Sequence, residues 1–443
     1  MENTKEIRKN KKHNIKVYPF YKMVSLDFIF YYAISFLFLN DFKGFSTSII
    51  LFTDAFYPFF KMVFQIPCTI LIDKIGKRNS LVIGNVFLCL DILLMIGANS
   101  VLLLILSNLF FALGFILKGT IEHNILYDSL PKAKKRSKYF SRIEGISSAI
   151  FYILEAICAA ITGFLYVINP YIPMFLCLMF CIIATILSAQ FKHISYVHLE
   201  GNETDTDEDD EEIVLSPIER TKNYFKGLSN AFKFILKSRR LRSLILFNAF
   251  FASLILLLVN LRRSLLSDLE FTPQIFGIAF AIFGIISALT TAKTSAFHKK
   301  FRNKTLTYIG LIYISAVILT GLIPLLDIPD TVIITIVVVA IGIQYSLKGP
   351  YTTLIKQYLN NFSQSSMRIK IHSANILIEC ITSTIFTLFA SFLLTITPTA
   401  NVILIMGLIY LLLIVLTLDY MRTRVGLKPE EYRNSDINYR ELS

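Results

Sequence analysis

The chain has 443 residues, of which 54% are hydrophobic and only 17% are charged, and its formal net charge is +13. Soluble domains carry about 25% charged residues, so this composition excludes an ordinary soluble protein. The basic excess does not indicate a nucleic-acid partner, because lysines and arginines beside membrane spans anchor to anionic lipid headgroups.

Twelve apolar runs follow one another along the chain. A helix needs about 20 residues to cross the ~30 Å hydrocarbon layer of a bilayer. The runs lie near residues 19–40, 46–72, 80–98, 101–126, 143–168, 170–190, 241–266, 273–297, 305–325, 331–358, 370–395 and 400–420. They predict an all-α membrane protein with twelve transmembrane helices.

The distribution of lysine and arginine predicts the orientation, because positive charge is retained on the cytoplasmic side of a membrane. With the N-terminus inside, seven of these residues, from Lys5 to Lys22, lie before or at the start of the first helix, and most of the others fall in cytoplasmic segments. The predicted external loops hold only Lys43, Arg262 and Arg263. We therefore predict a multi-pass protein of the plasma membrane with both termini cytoplasmic. Heavy use of isoleucine, lysine, asparagine and phenylalanine is typical of an AT-rich bacterial genome and so favours a bacterial inner membrane.

A charged hairpin separates the second and third runs. The sequence Asp73-Lys74-Ile-Gly76-Lys77-Arg78 places an acid at the end of one helix and a glycine three residues later. A basic turn alone is ordinary for a cytoplasmic loop, but the acid followed by a glycine predicts a tight junction of two helices. We predict that this hairpin is a cytoplasmic gate.

Polarity divides the chain into five segments. They are a basic N-terminus (1–18), a six-helix bundle (19–190), a linker (191–240), a second six-helix bundle (241–420) and a cytoplasmic tail (421–443). The acidic first part of the linker predicts a solvated segment. Its last part, from about 218 to 238, has the pattern of an amphipathic helix on the membrane surface.

The two halves also share sequence features at a nearly constant offset. Lys118 and Lys348, each followed by glycine, lie 230 residues apart, and Arg142 and Arg368, each followed by isoleucine, lie 226 residues apart. Transporters are commonly built from such internal repeats, with the binding site between them. The offset predicts a six-plus-six duplication.

Twelve helices, a polar central loop and the charged hairpin together resemble the major facilitator superfamily. The family motif is Gly-x-Leu-(Ala/Gly)-Asp-Arg-x-Gly-Arg-Arg, which the chain follows from Asp73 to Arg78 and leaves at Thr69 and Ile72. The resemblance implies two pseudo-symmetric six-helix bundles that alternate access to a central site. It also implies that the basic hairpin residues meet an acid at the cytoplasmic end of the fourth helix, where Asp128 is well placed.

Ionisable residues inside the predicted spans point to function, because a charge near the bilayer centre costs at least about 2.5–3.5 kcal/mol. The candidates for substrate or proton binding are Asp27, Asp54, Lys61, Lys118, Glu122, Glu155, Lys348 and Glu379. Asp54 and Lys61 are seven residues apart and are expected to share a helix face, whereas Lys118 and Glu122 are one turn apart and can pair directly. In the alternative interpretation, these charges are neutralised pairs that hold helices together.

Two smaller groups of residues give weaker evidence about function. Asp91 is predicted to be structural, because the third helix of the resembled fold is usually peripheral. Some aromatic residues can contact a ligand in the cavity, and the candidates are Tyr31, Tyr32, Tyr127 and Tyr345.

The chain shows no sign of enzyme chemistry. Its six histidines are scattered without metal-ligand spacing, and it has neither a phosphate-binding loop nor a nucleophile motif, so we predict no metal and no cofactor. We predict a monomeric secondary active transporter of a small solute, and the lone acids Glu155 and Glu379 suggest proton coupling. An aromatic cavity of mixed charge favours export of amphipathic compounds. Nutrient uptake by the same fold and a non-transporting scaffold or receptor are the alternatives.

Overall fold

A computed structural model describes residues 4–130, 136–193, 226–227, 229–230, 232–301, 304–362 and 368–422. The regular structure in these residues is helical throughout. Eleven helices among them are long and apolar enough to cross a membrane. The acidic part of the linker and most of the C-terminal tail lie outside the described residues.

The N-terminal half contains eight helices of very different length. They are α1 (Thr4–Ser25), α2 (Ser35–Leu37, followed by a π-helical turn Phe38–Phe42), α3 (Thr47–Asp54), α4 (Phe56–Ile75), α5 (Lys77–Ile96), α6 (Val101–Ser129), α7 (Arg136–Ile168) and α8 (Tyr171–Ala189). Serine caps fix two of the starts, since the side chains of Ser46 and Ser100 accept the backbone N–H of Ile49 and Leu103.

The C-terminal half repeats the pattern. Its helices are α9 (Arg239–Asp268), α10 (Pro273–Ala292), α11 (Thr294–Phe301), α12 (Thr305–Leu322), α13 (Asp330–Phe362), α14 (Arg368–Leu393) and α15 (Thr399–Arg422). Ser238 caps α9, and Pro273 begins α10 at a position where its missing N–H is not needed.

The first predicted span differs from the expectation of one continuous helix over 19–40. Helix α1 ends at Ser25, helical structure resumes only at Ser35, and Phe30 between them has a φ of 67°. The Asp27 carboxylate accepts the backbone N–H of Phe28 at 2.9 Å, a local bond that competes with helix continuation. The predicted twelve spans are therefore not confirmed in full, because the first crossing consists of shorter pieces.

Each half forms a bundle. In the N-terminal bundle, α5 packs on α6 and α8, while α1 packs on α6, α7 and α8. In the C-terminal bundle, α9 packs on α14 and α15, and α12 lies against α13 and α15. The bundles meet where α7 contacts α10 and where α14 contacts α3 and α4. These two contacts pair the second crossing of one half with the fifth of the other, as expected for a duplication.

The two ends of the molecule differ. We call the end that holds Gly76, between α4 and α5, the hairpin end, and the opposite end, with the turns at 43–46 and 269–272, the distal end. At the distal end Ser48 of α3 and Ser391 of α14 bond reciprocally, each hydroxyl donating to the other residue's carbonyl at 2.8 and 2.9 Å. The hydroxyls of Thr47 and Ser264 also meet at 3.0 Å. These bonds join the bundles at the distal end.

The same end is closely packed. A Cβ added to Gly163 of α7 would lie 2.0 Å from the carbonyl oxygen of Pro273, so the backbones of α7 and α10 touch there. One apolar core runs from the distal end of the N-terminal bundle, with Phe36 and Met174, into the C-terminal bundle. The distal end is therefore closed.

Only the last part of the predicted amphipathic helix of the linker lies among the described residues. Residues 232–237 are helical, Ile235 is buried, and Phe232 and Phe234 pack against the core of the C-terminal bundle. This apolar side contacts protein, and the position of the segment at the membrane surface stays a prediction. The beginning of the predicted amphipathic helix lies outside the described residues.

Candidate functional site

Charged side chains from the two bundles approach each other across the central interface. Lys348 of α13 lies within electrostatic range of both Asp27 and Glu155 in the N-terminal bundle. In the same way, Lys61 of α4 lies within range of Glu379 of α14. All five side chains keep partial accessibility although protein surrounds them. They come from both bundles and lie near the interface between them.

Glu379 has a polar shell that sequence reasoning missed. Asn375, one turn earlier on α14, donates to its Oε1 at 2.6 Å, and Asn248 of α9 donates to the same oxygen. The Tyr351 hydroxyl donates to the side-chain oxygen of Asn248 at 2.5 Å. The sequence could have indicated only the contact of Asn375 with Glu379, because these two residues are four apart on one helix. Asn248 and Tyr351 come from other helices.

Asp54 and Lys61 have separate partners. Helix α3 ends at Asp54 and α4 begins at Phe56, so the seven-residue spacing does not run along one regular helix. Asp54 accepts a hydrogen bond from Asn260 of α9, whereas the Lys61 ammonium lies 5.9 Å from the centre of the Tyr57 ring. Ala55, between the two helices, keeps helical backbone angles and donates its N–H to the carbonyl oxygen of Leu51, so the shared face of Asp54 and Lys61 stays a prediction.

Glu122 pairs with a lysine from another helix. Lys22 of α1, only 1% exposed, lies 3.2 Å from Glu122 and 3.1 Å from Glu144 of α7. Lys118 does not form an ion pair with Glu122 in the described structure, and its ammonium instead lies 5.3 Å from the centre of the Phe115 ring. The direct Lys118–Glu122 pair is therefore wrong, since tertiary packing brings Lys22 closer.

Two further residues of this cluster come from α1. The hydroxyl of Tyr18 donates to Glu144, and that of Ser25 donates to Glu122 at 3.5 Å. Lys22 was missed because it belongs to the seven basic residues counted before or at the start of the first helix. A basic residue in that position is normally expected in a cytoplasmic segment rather than inside a bundle.

The arginines that were assigned to an external loop are buried. Helix α9 continues to Asp268, and the exposed fractions of Arg262 and Arg263 are 1% and 4%. Arg262 points into the C-terminal bundle, where Nη1 donates to Gln344 at 3.3 Å and the guanidinium carbon lies 4.7 Å from the centre of the Tyr345 ring. The external-loop assignment is wrong because both arginines lie within helix α9 and are packed inside the protein.

Arg263 points toward the bundle interface. Its Nη1 donates to Asn260 at 2.8 Å and to Ser35 of α2 at 3.5 Å. Its guanidinium carbon lies 5.7 Å from the ring centres of both Tyr32 and Phe280. Through Asn260 it is linked to Asp54.

The four aromatic candidates separate by position. Tyr32 donates to Asp27 at 2.7 Å and contacts Tyr31, and Tyr345 contacts Arg262, so these three lie among the central charges. Tyr127 is 44% exposed and packs beside Phe140 toward the hairpin end. Tyr127 is therefore not part of the central group.

Asp91 belongs to the interior of the N-terminal bundle. It is buried on α5 and accepts the hydroxyl of Ser107 on α6. This contact joins two helices of one bundle.

The hairpin residues make contacts within the N-terminal bundle. Lys77 Nζ lies 2.7 Å from Asp128 Oδ2, and Arg78 donates from Nη2 to the carbonyl oxygen of Ala189 at 2.7 Å. Gly76 has a φ of 84°, a conformation that favours glycine. Lys74 is exposed, and the side chain of Asp73 lies outside the described residues. The gate function of the hairpin stays a prediction.

A cleft of about 230 Å³ lies beside the hairpin and is lined by Lys77, Arg78, Asp128 and Lys192, among others. Within the described part of the chain, there is no group of three or more histidine, cysteine or acidic side chains that could hold a metal ion.

Comparisons with known proteins agree with this architecture. A family model described as Major Facilitator Superfamily matches residues 23–367. The solved structure of the nucleoside transporter NupG is 12% identical, with a TM-score of 0.66 over 93% of this chain and 99% of that one. A POT family transporter in complex with 5-aminolevulinic acid is 14% identical, with a TM-score of 0.61 over 94% and 96% of the two chains.

The peptide transporter POT in complex with sulfate is 12% identical, with a TM-score of 0.63 over 94% of each chain. At these identities the likeness shows the fold alone. A comparison with curated protein sequences finds no match.

Proposed function

Because the chain belongs to the major facilitator superfamily, we propose that it is a secondary active transporter that moves a small solute by alternating access. The family and its structural relatives are transport proteins, and the chain is a transport protein rather than an enzyme. The observation that carries the proposal is the meeting of charged side chains from both bundles across one interface. Such groups are costly inside a membrane unless water or a solute reaches them.

The closed distal end supports the alternating mechanism. Access from that end requires the reciprocal Ser48–Ser391 bonds to break and α7 to separate from α10 near Gly163. The interface charges would then face the distal side, while the hairpin end closes. If the hairpin end is cytoplasmic, as the positive charges predict, the described state is closed to the outside.

Proton coupling is part of the proposal, and Glu155 is its best candidate. Among the described residues, Glu155 has no hydrogen bond or ion pair, and its electrostatic neighbours include Lys348 on the opposite bundle. Rocking of the bundles changes the separation of Glu155 and Lys348. Glu155 can therefore release a proton when Lys348 is near and bind one when Lys348 withdraws.

We infer the direction of transport from the surroundings of the charges. Aromatic rings such as Tyr32 and Tyr57 lie beside ionisable groups of both signs, which suits amphipathic molecules. This favours export of amphipathic compounds, with uptake of a nutrient or metabolite as the second candidate for the same site.

Transport by the purified chain in liposomes tests the proposal. The internal contents are analysed by mass spectrometry after incubation with a defined mixture of small metabolites, with and without a pH gradient. We expect at least one solute to move faster with the gradient, and Glu155→Gln to abolish the difference. Glu6→Gln, on the exposed start of α1, is the matched control and should behave as the native chain. Equal rates with and without the gradient would remove proton coupling but leave transport intact.

A further inference from the structure

Arg263 is a buried charge at the bundle interface that forms no ion pair with any described acidic side chain. The described ion pairs are Lys22 with Glu122, Lys22 with Glu144, and Lys77 with Asp128, and none involves Arg263. Arginine stays protonated in proteins, so burial cannot be relieved by losing the charge. Asp54 is its nearest described acid in the hydrogen-bond network: it lies within electrostatic range of Arg263 and is bridged to it by Asn260, but the two form no direct ion pair.

The unsatisfied part of the side chain is well defined. Both hydrogen bonds of Arg263 use Nη1, toward Asn260 and Ser35. Its Nε is buried and has no hydrogen-bond partner. Nε and Nη2 form the edge of a guanidinium that can hold two oxygens of a carboxylate or phosphate by parallel N–H bonds.

The guanidinium is also fixed in position. Tyr32 of the first segment and Phe280 of α10 lie at equal distances of 5.7 Å from its central carbon, and Nη1 is anchored on two sides. An immobilised side chain loses little further freedom when a ligand binds, which favours binding. The rings also supply apolar contact next to the charged edge.

We propose that Arg263 is the anion-binding residue of the transported solute, and that the solute class is a small amphipathic molecule with a carboxylate or phosphate group. The oxyanion binds the Nε–Nη2 edge, and the apolar part of the molecule contacts Tyr32 and Phe280. This inference rests on the proposed transport function and names the substrate class of its site. The position of Arg263 where α2, α9 and α10 meet places the anion at the moving interface.

The test uses the full chain in liposomes and a defined mixture with equal numbers of carboxylates, phosphate monoesters, amines and neutral polyols. Mass spectrometry of the internal contents gives the ratio of anionic to other solutes accumulated. We expect the native chain to accumulate carboxylates or phosphate esters, and Arg263→Gln to reduce their accumulation at least tenfold. Comparison of the two anion classes identifies which group the site prefers.

Two further variants separate binding from folding. Arg263→Lys keeps the charge but not the two-pronged edge, so we expect it to retain part of the anion accumulation. Arg242→Gln, the same change on the same helix at a residue that bonds Tyr420, should leave accumulation unchanged. The thermal unfolding temperature of each variant shows whether it is folded, so that accumulation is compared only among folded proteins.

The outcomes are distinct. Accumulation of only amines or polyols, or anion accumulation that survives Arg263→Gln, overturns the anion proposal while transport stands. If no solute of any class accumulates with the native chain, the transport function fails and the anion proposal fails with it.

Discussion

Lys22 joins three helices through one ammonium group. It contacts carboxylates of α6 and α7 from its position on α1, and Tyr18 adds a hydroxyl to the same cluster. A buried charge pair adds little stability over apolar packing, but removal of one partner leaves an uncompensated charge. The loss of Lys22 would therefore be destabilising mainly because it leaves the buried carboxylates of Glu122 and Glu144 without a counter-ion.

The replacement Lys22→Met tests this point. We expect it to lower the free energy of unfolding by about 3–5 kcal/mol, because Glu122 and Glu144 lose their shared counter-ion. The chain has no tryptophan, but five of its six cysteines are buried, so a thiol-reactive dye can follow thermal unfolding in detergent.

The control for this prediction is Lys16→Met, the same change at an exposed position of α1. It should unfold at the native temperature. A Lys22→Met protein that unfolds together with this control would contradict a stabilising role for the cluster.

The intramembrane charges show what sequence can reveal at the level of single residues. The position of Asp27, Glu155 and Glu379 inside membrane spans could be predicted from the apolar residues that flank them in the sequence. Their partners did not, because pairs such as Lys22 and Glu122 depend on which helix faces are brought together. The buried position of Arg263 was missed for a related reason, since charge next to a span normally indicates a loop.

At the scale of helices, the crossing of α7 and α10 depends on two glycines. A Cβ on Gly163 would meet the backbone of Pro273, and one on Gly277 would lie 2.4 Å from the carbonyl oxygen of Ala159. Backbone atoms cannot move aside as a flexible side chain can. Any side chain at these positions must push the distal ends of the bundles apart.

We therefore expect Gly163→Ala to favour the distal-open state. In a background without native cysteines, Ser264→Cys, buried at the distal end, should react several-fold faster with a membrane-impermeant thiol reagent applied from the distal side. Gly145→Ala, on the same helix with nothing within 4 Å of an added Cβ, is the matched control. Equal reactivity in the two alanine variants would show that the crossing does not hold this end closed.

A second element-scale prediction concerns α3 and α14. Cysteines in place of Ser48 and Ser391 should form a disulfide on oxidation, because the two residues already exchange hydrogen bonds. The cross-link should hold the distal end closed and reduce transport at least tenfold, with recovery after reduction. Either single cysteine variant should be insensitive to oxidant. Undiminished transport by the fully cross-linked protein would contradict alternating access through this end.

At the scale of the whole molecule, the broken first segment decides the topology. If residues 19–40 cross the membrane in pieces, the number of crossings is even and both termini lie on one side. If they do not cross, the eleven remaining spans place the termini on opposite sides.

Epitope tags at the two ends distinguish these cases. We expect both tags to be protected in intact cells and accessible after permeabilisation, as the positive charges predict. A tag inserted after Glu270, in a distal turn, should be accessible without permeabilisation and serves as the control. Termini found on opposite sides would show that the first segment does not cross.

Most of the architecture was predictable because bilayer thickness fixes the length of an apolar run. The two exceptions have physical causes. After Pro19 at its start, the first run contains no proline or glycine that would predict the break near Asp27. The break is marked instead by the hydrogen bond from the backbone N–H of Phe28 to the Asp27 side chain. Arg262 and Arg263 lie in helix α9 rather than in a loop because they have hydrogen-bond and aromatic partners inside the protein.

The apolar core that extends from Phe36 and Met174 into the C-terminal bundle has a thermal consequence. Opening the distal end wets part of that core, and the hydration of apolar surface carries a large positive heat capacity. The attraction that keeps the bundles together there weakens on cooling. A carrier sealed in this way shifts toward its distal-open form in the cold, and its turnover follows a curved temperature dependence whatever solute it carries.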